Sequence, residues 1–254
     1  MSGQQKITRP YQKLMKHRPL LILQTGSPPT EIRNKYNDIS TWFGQVLNHT
    51  RRPVSVVRVF EGDNLPAPNP DYVTVITGSW AMVTDRHPWS EATAQWIRDA
   101  VKIEAPLFGV CYGHQLMAHA LGGHVDYHPK GPELGCQTIQ LQSSAAQDPL
   151  LAALPSQFQA HLSHEQSVLE PPAGASVLAG SAHDPHQIIR YGAHAVSTQF
   201  HPEFTPGIAG SLLQRRRAAS KQNETHIETL LANLVETPEA TSILNRFVES
   251  YESV

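Results

Sequence analysis

The chain has 254 residues, and its 20 basic and 22 acidic side chains leave a net charge of −2. A charge so close to zero gives no electrostatic reason to expect nucleic acid or an anionic membrane as a partner. The two cysteines are too few for a disulfide framework, and no apolar run is long enough for a signal peptide or a membrane span, so we expect a cytoplasmic protein.

Short apolar strands alternate with amphipathic helices through the first half of the chain. A polar, basic segment over residues 1–18 is predicted to be a tail, and a buried strand follows at 20–23. The next predicted elements are a helix at 38–49, strands at 54–60 and 72–76, a helix at 89–103 and a strand at 106–110. This alternation predicts an α/β fold with a doubly wound, mostly parallel sheet and helices on both faces.

The second half of the chain is less regular. Residues 143–176 are rich in Ala, Pro, Ser and Gln and are predicted to form a variable connection, whereas residues 195–200 are predicted to form a strand. Beyond residue 204, apolar residues at helical spacing predict two more helices, with Ile227, Leu230, Leu231 and Leu234 in one and Ile243, Leu244, Phe247, Val248 and Tyr251 in the other. We expect these helices to pack on the core, and a dimer or partner surface is the alternative.

The strongest chemical signal is the segment Gly109-Val110-Cys111-Tyr112-Gly113. It joins the strand at 106–110 to a helix-like segment at 116–121, with the cysteine at the apex. This is the form of the nucleophile elbow of α/β hydrolases, with Cys in place of Ser. The turn exposes the sulfur, and the first amides of the helix favour negative charge beside it. We therefore predict that Cys111 is a nucleophile rather than an inert buried thiol, and that Cys136, which lacks this context, is structural.

A cysteine nucleophile needs a base, and the base needs a group that orients it. His201 stands at the end of the strand predicted at 195–200, and Glu203 follows two residues later. That spacing places both side chains on one side of an extended segment, where the carboxylate is able to accept the imidazole N–H. A solvated turn is the alternative for the isolated His-Pro-Glu. Two ligands are too few for a metal site, so neither a metal nor a cofactor is predicted.

Taken together, Gly109-Val110-Cys111-Tyr112-Gly113-His114-Gln115 and Gln199-Phe200-His201-Pro202-Glu203 resemble the motifs of the class I (triad) glutamine amidotransferases. Three further stretches are similar to that family, namely Thr77-Gly78-Ser79-Trp80, Gly131-Pro132-Glu133-Leu134-Gly135 and Ser163-His164-Glu165-Gln166-Ser167-Val168. The resemblance covers about residues 19–204 and implies a flavodoxin-like domain similar to the glutaminase part of GMP synthases. Residues 205–254 are then a C-terminal helical extension packed on the same domain.

The resemblance implies a role for each matching position. Cys111 is then the nucleophile, His201 the general base and acid, and Glu203 its orienting carboxylate. The Tyr112 amide supplies one oxyanion donor, and the second comes from Ser79 or Gly78, where the family often has Gly-Gly-Pro and this chain has Gly-Ser-Trp. The implied contacts to bound glutamine lie at Gln115, Ser163, His164 and Glu165. Glu165 stands where several members carry glycine.

The implied activity is hydrolysis of the side-chain amide of glutamine through a γ-glutamyl thioester on Cys111, which releases ammonia and glutamate. The sequence shows no phosphate-binding loop and no dinucleotide-binding glycine motif, so the ammonia acceptor is unknown. A separate synthetase subunit or a homodimer stays open as a partner. The second hypothesis is a γ-glutamyl peptide hydrolase that acts alone, and the third is a non-catalytic binding protein. The run Arg215-Arg216-Arg217 is predicted to be a solvated helix face, with contact to an anionic substrate or partner as the alternative.

Overall fold

The computed structural model describes residues 18–219 and 224–251. The tail predicted over residues 1–18 therefore lies almost wholly outside the described residues. None of the described helices is long and apolar enough to cross a membrane.

Strands and helices are mixed in the first half of the chain, a run of strands follows, and helices end the described residues. In chain order they are β1 (Leu20–Gln24), α1 (Thr30–Tyr36), α2 (Ile39–Val46), β2 (Val54–Arg58), β3 (Val73–Ile76), α3 (Pro88–Lys102), β4 (Leu107–Val110), α4 (Tyr112–Ala120), β5 (His124–Tyr127), β6 (Glu133–Leu141), β7 (Gln157–His164), β8 (Gln166–Glu170), β9 (Ser176–Gly180), β10 (Ile188–Arg190), β11 (Ala195–Thr198), α5 (Pro206–Ala219), α6 (Glu224–Ala232) and α7 (Pro238–Glu249).

The main sheet has nine strands in the order β2-β1-β3-β4-β11-β10-β9-β6-β7. The first five of these strands pair in parallel, and each later pair in the order is antiparallel. Only β10 and β6 run against the rest, so seven of the nine strands point the same way. The mostly parallel, doubly wound sheet predicted from the sequence is confirmed. Strands β5 and β8 form a separate antiparallel pair.

Helices cover both faces of this sheet because its central strands are apolar on both sides. One buried cluster joins alternate residues of β1, β3 and β4 to α2, α5 and α7, and the other joins the remaining strand positions to α3 and α4. Helix α7 is part of this core, since Phe247 packs on Phe108 of β4 with ring centroids 5.2 Å apart.

Several elements differ from the sequence-based expectations. The second strand ends at Arg58 rather than residue 60, the strand predicted at 195–200 ends at Thr198, and the helix predicted at 38–49 ends at Val46. Helix α6 ends before Leu234, and the sequence analysis predicted neither helix α1 nor the bounds of helix α5.

Residues 143–176, predicted to be a variable connection, contain the whole of β7 and β8. The inward positions of β7 include Ala160 and His164, whose small or polar side chains hide the apolar alternation that identifies a strand.

Candidate active site

Cys111 stands on a sharp turn between β4 and α4, as the elbow motif predicts. Its backbone has φ 52° and ψ −100°, a left-handed conformation that strains any residue with a Cβ. Two hydrogen bonds hold the turn in place: the Cys111 N–H donates to the Thr198 carbonyl at 2.9 Å, and the Gly113 N–H donates to the Thr77 carbonyl at 3.1 Å. The strained cysteine is thereby tied to the ends of both neighbouring strands.

The two glycines that flank the cysteine are required by packing. A Cβ on Gly109 would lie 2.7 Å from both the Gly113 carbonyl oxygen and Met117 Sδ. A Cβ on Gly113 would lie 2.4 Å from the Ile76 carbonyl oxygen. Both distances are well inside van der Waals contact, so α4 is able to pack this closely against β3 and β4 only without these side chains.

His201 follows β11 and is held from three sides. Its Nδ1 lies 2.7 Å from Glu203 Oε1, and its main-chain N–H donates to the His161 carbonyl at 2.9 Å. The Phe204 ring stacks on the imidazole with centroids 3.8 Å apart and planes 11° apart. The sequence reasoning missed Phe204, although an aromatic residue directly after His-Pro-Glu was a readable signal.

The imidazole of His201 interacts with the cysteine as well as with the carboxylate. Since Nδ1 lies against Glu203, Nε2 is the ring nitrogen left to face Cys111, which lines the same cavity. Burial alone would lower the pKa of His201, but the charges of Glu203 and Cys111 raise it to about 10. The neighbouring His161 stays neutral because burial and the charge on His201 lower its pKa to about 4. The site therefore favours the protonated ring of His201.

The loop after β3 turns one peptide group toward the protein interior. The Gly78 carbonyl accepts hydrogen bonds from Thr25 Oγ1 at 2.9 Å and from Thr77 Oγ1 at 3.0 Å. In a planar trans peptide the next N–H points the opposite way, so the Ser79 N–H faces away from these hydroxyls. Among the described residues, neither the Ser79 N–H nor the Tyr112 N–H has an acceptor. This arrangement favours Ser79 over Gly78 as a donor to a ligand.

The absence of a side chain at Gly78 leaves room for the histidine and the cysteine. A Cβ built on it would lie 3.1 Å from His201 Cε1 and 3.6 Å from Cys111 Cβ. The loop thus runs directly against the cysteine and histidine, and a side chain at this position would press on the imidazole.

A cavity of about 170 Å³ opens over these groups, and both Cys111 and His201 line it. Gln115 and Ser163, two of the predicted glutamine contacts, also line this cavity. The Gln115 side-chain nitrogen donates to the Gln166 carbonyl at 2.6 Å, while no described residue donates to its oxygen. Gln115 therefore presents a fixed acceptor to whatever fills the cavity.

His164, another predicted contact, borders the cavity with both ring nitrogens engaged inside the protein. Nδ1 lies 2.9 Å from the Gln166 carbonyl, and Nε2 lies 3.0 Å from Glu133 Oε2. The ring therefore ties β7 to β6 and β8. A ligand in the cavity would therefore contact His164 through its backbone.

Glu133, His164 and Asp184 are the acidic and histidine side chains whose arrangement comes nearest to a metal site among the described residues. Their ligating atoms lie within 4.8 Å of one another, and all three residues are buried. Glu133, however, already accepts hydrogen bonds from Gln187 and Ser181 as well as from His164. The cluster is thus part of a hydrogen-bond network in which Asp184 Oδ2 and Gln187 Oε1 have no described partner.

Glu165, the last predicted contact, forms an ion pair across the cavity mouth. Its Oε1 lies 2.7 Å from Nη2 of Arg216, which stands in the last turn of α5. Arg216 lines the cavity together with Leu212 of the same helix. The sequence reasoning placed the arginine run on a solvated face, because nothing in the local pattern reveals that α5 folds back over the site.

The other two arginines of the run pair with glutamates on neighbouring helices: Arg215 with Glu31, and Arg217 with Glu228 at 3.3 Å. An outer groove of about 760 Å³, lined among others by Lys35 and Arg215, adjoins the cavity. The two spaces share Trp80, Ser163, Leu212 and Arg216.

Comparisons of this chain with known proteins identify its family. The family model for class I glutamine amidotransferases matches residues 32–219. The chain is 33% identical to one subunit of the glutamine-hydrolyzing GMP synthase of Ignicoccus hospitalis over 156 residues, which cover 59% of this chain and 77% of the relative. It is 37% identical over 103 residues to the glutamine-hydrolyzing GMP synthase of Aeropyrum pernix, a match that covers 41% of this chain and 19% of that protein.

The match therefore spans only about a fifth of the longer GMP synthases. Among solved structures, a glutamine amidotransferase from Thermotoga maritima superposes with a TM-score of 0.71 at 22% identity, covering 92% of this chain and 99% of that one. That likeness supports the fold. Since the family model covers most of the chain, the protein belongs to the class I glutamine amidotransferase family.

Proposed function

We propose that the protein hydrolyses the side-chain amide of glutamine through a thioester on Cys111. The observation that carries this proposal is the imidazole of His201, which pairs with Glu203 through Nδ1 and lines the same cavity as Cys111, whose charge acts on the ring. The three groups have the types and order of contacts that a nucleophile, its base and an orienting carboxylate require.

The chemistry then follows from the positions of these groups. The Cys111 thiolate attacks the amide carbonyl carbon, and the N–H groups of Tyr112 and Ser79 stabilise the oxyanion by about 3 kcal/mol each. The His201 imidazolium gives its proton to the leaving nitrogen, and ammonia departs as the C–N bond breaks. Neutral His201 next takes a proton from water, which attacks the thioester, releases glutamate and restores the thiolate–imidazolium pair.

The destination of the ammonia is a second part of the proposal. The Ignicoccus hospitalis relative is named as one subunit of a glutamine-hydrolyzing synthase, which supports transfer of ammonia to a separate synthetase chain. A partnered protein of this kind is expected to turn over glutamine slowly alone and faster with its synthetase.

A γ-glutamyl peptide hydrolase is the second candidate, and the outer groove is the observation that favours it. This groove is continuous with the cavity through Trp80 and Arg216, so it offers room for a leaving group much larger than ammonia.

One experiment separates these functions. The purified chain is incubated with glutamine and with γ-glutamyl dipeptides, with the C111S variant as the control, and the release of glutamate is followed. A kcat/KM for a dipeptide that exceeds the value for glutamine by more than about a hundredfold, or roughly 2.7 kcal/mol, replaces the first function with the second. Absence of turnover on every substrate supports the non-catalytic alternative.

A further inference from the structure

The ion pair between Glu165 and Arg216 stands out among the charged groups around the cavity. Glu203 is committed to His201, and His164 is committed to Glu133. Glu165 and Arg216 are therefore the charged cavity-lining side chains, among the described residues, that the proposed chemistry does not use.

A single hydrogen bond joins the two side chains, so both keep further polar atoms that are able to bind a ligand. One contact of 2.7 Å joins Nη2 to Oε1, and the second carboxylate oxygen and the remaining guanidinium donors have no described partner. Both side chains are about one-third exposed, at 34% for Arg216 and 31% for Glu165. An exposed pair of this kind contributes little to stability, so a ligand that breaks it gives up little binding free energy.

The arrangement suits a ligand that carries an ammonium and a carboxylate on one carbon. A carboxylate finds a planar donor fork in Arg216, and an ammonium finds the free oxygen of Glu165. Gln115 offers its unpaired side-chain oxygen in the same cavity. At about 170 Å³ the cavity is smaller than the range of about 300–1,000 Å³ typical of drug-sized ligands, as expected for a molecule the size of an amino acid.

We propose that Glu165 and Arg216 form a clamp for the free α-amino acid end of the γ-glutamyl group, with Glu165 on the α-ammonium and Arg216 on the α-carboxylate. Two methylenes separate the α-carbon from the reacting carbonyl, a short span that fits one small cavity holding Cys111 and the ion pair together. The clamp restricts the substrates to γ-glutamyl compounds with a free amino acid end and excludes glutamine inside a peptide chain. This inference rests on the proposed function, whose site it deepens.

The test pairs two variants with two truncated substrates. Glutaramic acid is glutamine without the α-ammonium, and glutamine α-amide lacks the α-carboxylate. The wild-type protein is expected to favour glutamine over each of them by about a hundredfold in kcat/KM, the scale of a lost charge contact. R216M is expected to lose only the preference over the α-amide, and E165Q only the preference over glutaramic acid.

Two further variants control for structural effects. R217M removes the next arginine of α5, which pairs with Glu228 and does not line the cavity, and it is expected to keep both preferences. R216K, which keeps the charge, is expected to restore part of the preference over the α-amide. If R216M or E165Q lowers kcat/KM by the same factor on glutamine, glutaramic acid and glutamine α-amide, or on none of them, the clamp is wrong.

A failure of the proposed function has a different signature. If the wild-type protein hydrolyses neither glutamine nor a γ-glutamyl dipeptide, the function is wrong, and the clamp is then tested by calorimetric titration of C111A with glutamine. Binding that R216M abolishes and R217M keeps supports the clamp in that case. Equal binding to C111A with and without R216M contradicts it.

Discussion

At the scale of single residues, the strained cysteine is the most consequential feature of the molecule. A non-glycine residue in a left-handed conformation costs about 1–3 kcal/mol, so the strain persists only where the surroundings enforce it. At Cys111 the enforcement comes from the Thr198 carbonyl on one side and the helix of Tyr112 on the other. The sulfur is thus carried at the carboxyl end of the sheet, where ligands bind in such folds.

The first prediction concerns the two thiols. A glutamine-like diazoketone is expected to label Cys111 and to leave Cys136 unmodified, with the modified residue identified by peptide mass. Cys111 lines the cavity beside His201, whereas burial raises the pKa of Cys136 and keeps it protonated. The C136S variant should react like the wild type. Label found on Cys136 would contradict the assignment of the nucleophile.

The second prediction concerns the proton on His201. Its pKa of about 10 lies above the value of about 6.5 expected in the unfolded chain, so the protonated ring stabilises the fold fully below about pH 6.5. That contribution is lost as the pH rises through about 10. E203Q removes the charge that raises the pKa of His201 most, so we expect the ring to titrate at lower pH. C111A should lower the same pKa by a smaller amount.

This titration is measured by NMR on protein with ¹⁵N-labelled histidine. His161 serves as the internal control, because burial keeps it neutral near pH 7 and its signal should stay that of a neutral ring in every variant. An unchanged His201 titration in E203Q would show that Glu203 does not hold the imidazolium.

At the scale of elements, the close approach of α4 to β3 decides where the cysteine lies. A single methyl group added at Gly113 would therefore disturb the elbow, whereas a methyl group added to a helical glycine with open space around it would not. The contrast between Gly113 and Gly44 makes this testable, since both are helical.

The third prediction compares alanine at these two positions. G113A places a Cβ 2.4 Å from the Ile76 carbonyl oxygen, so we expect a loss of about 1–3 kcal/mol of stability together with loss of activity. G44A meets no atom within 4 Å, and it is expected to stabilise the protein by about 0.5–1 kcal/mol and leave activity unchanged. Urea unfolding measures both. Equal stabilities would mean that α4 is not packed this tightly.

At the scale of the whole molecule, the C-terminal helix α7 belongs to the same core as the site. Its residues Ile243, Leu244, Phe247 and Val248 are buried, and Phe247 touches Phe108, three residues before the cysteine. Helix α7 therefore helps to hold β4, and with it the turn at Cys111, in place.

The fourth prediction tests that support. F247A is expected to lower the free energy of unfolding by about 3–5 kcal/mol, because it leaves a cavity behind β4. V235A, at a half-exposed position between α6 and α7, should change it by no more than about 0.5 kcal/mol. Denaturant unfolding followed by tryptophan fluorescence provides the measurement. Similar values for the two variants would show that α7 contributes little to the core.

Local patterns in the sequence were enough to predict the parallel half of the sheet, the turn that carries Cys111 and the pairing of His201 with Glu203. Apolar runs mark β1, β3 and β4, and the flanking glycines mark the elbow. The strands β7 and β8 were missed because their inward positions are partly small or polar. The partner of Glu165 was missed for another reason: Arg216 reaches the cavity only through the path of α5, which no local spacing encodes.

The pairing of β11 with β4 also has a consequence for the order in which reactivity arises. Cys111 directly follows β4, which is made early in synthesis, whereas His201 follows β11, which is made much later. Until β11 docks along β4, the thiol has neither the imidazole beside it nor the Thr198 carbonyl that holds its turn. The strained turn and its histidine neighbour are therefore completed together, and an unfinished chain lacks the arrangement on which the proposed chemistry depends.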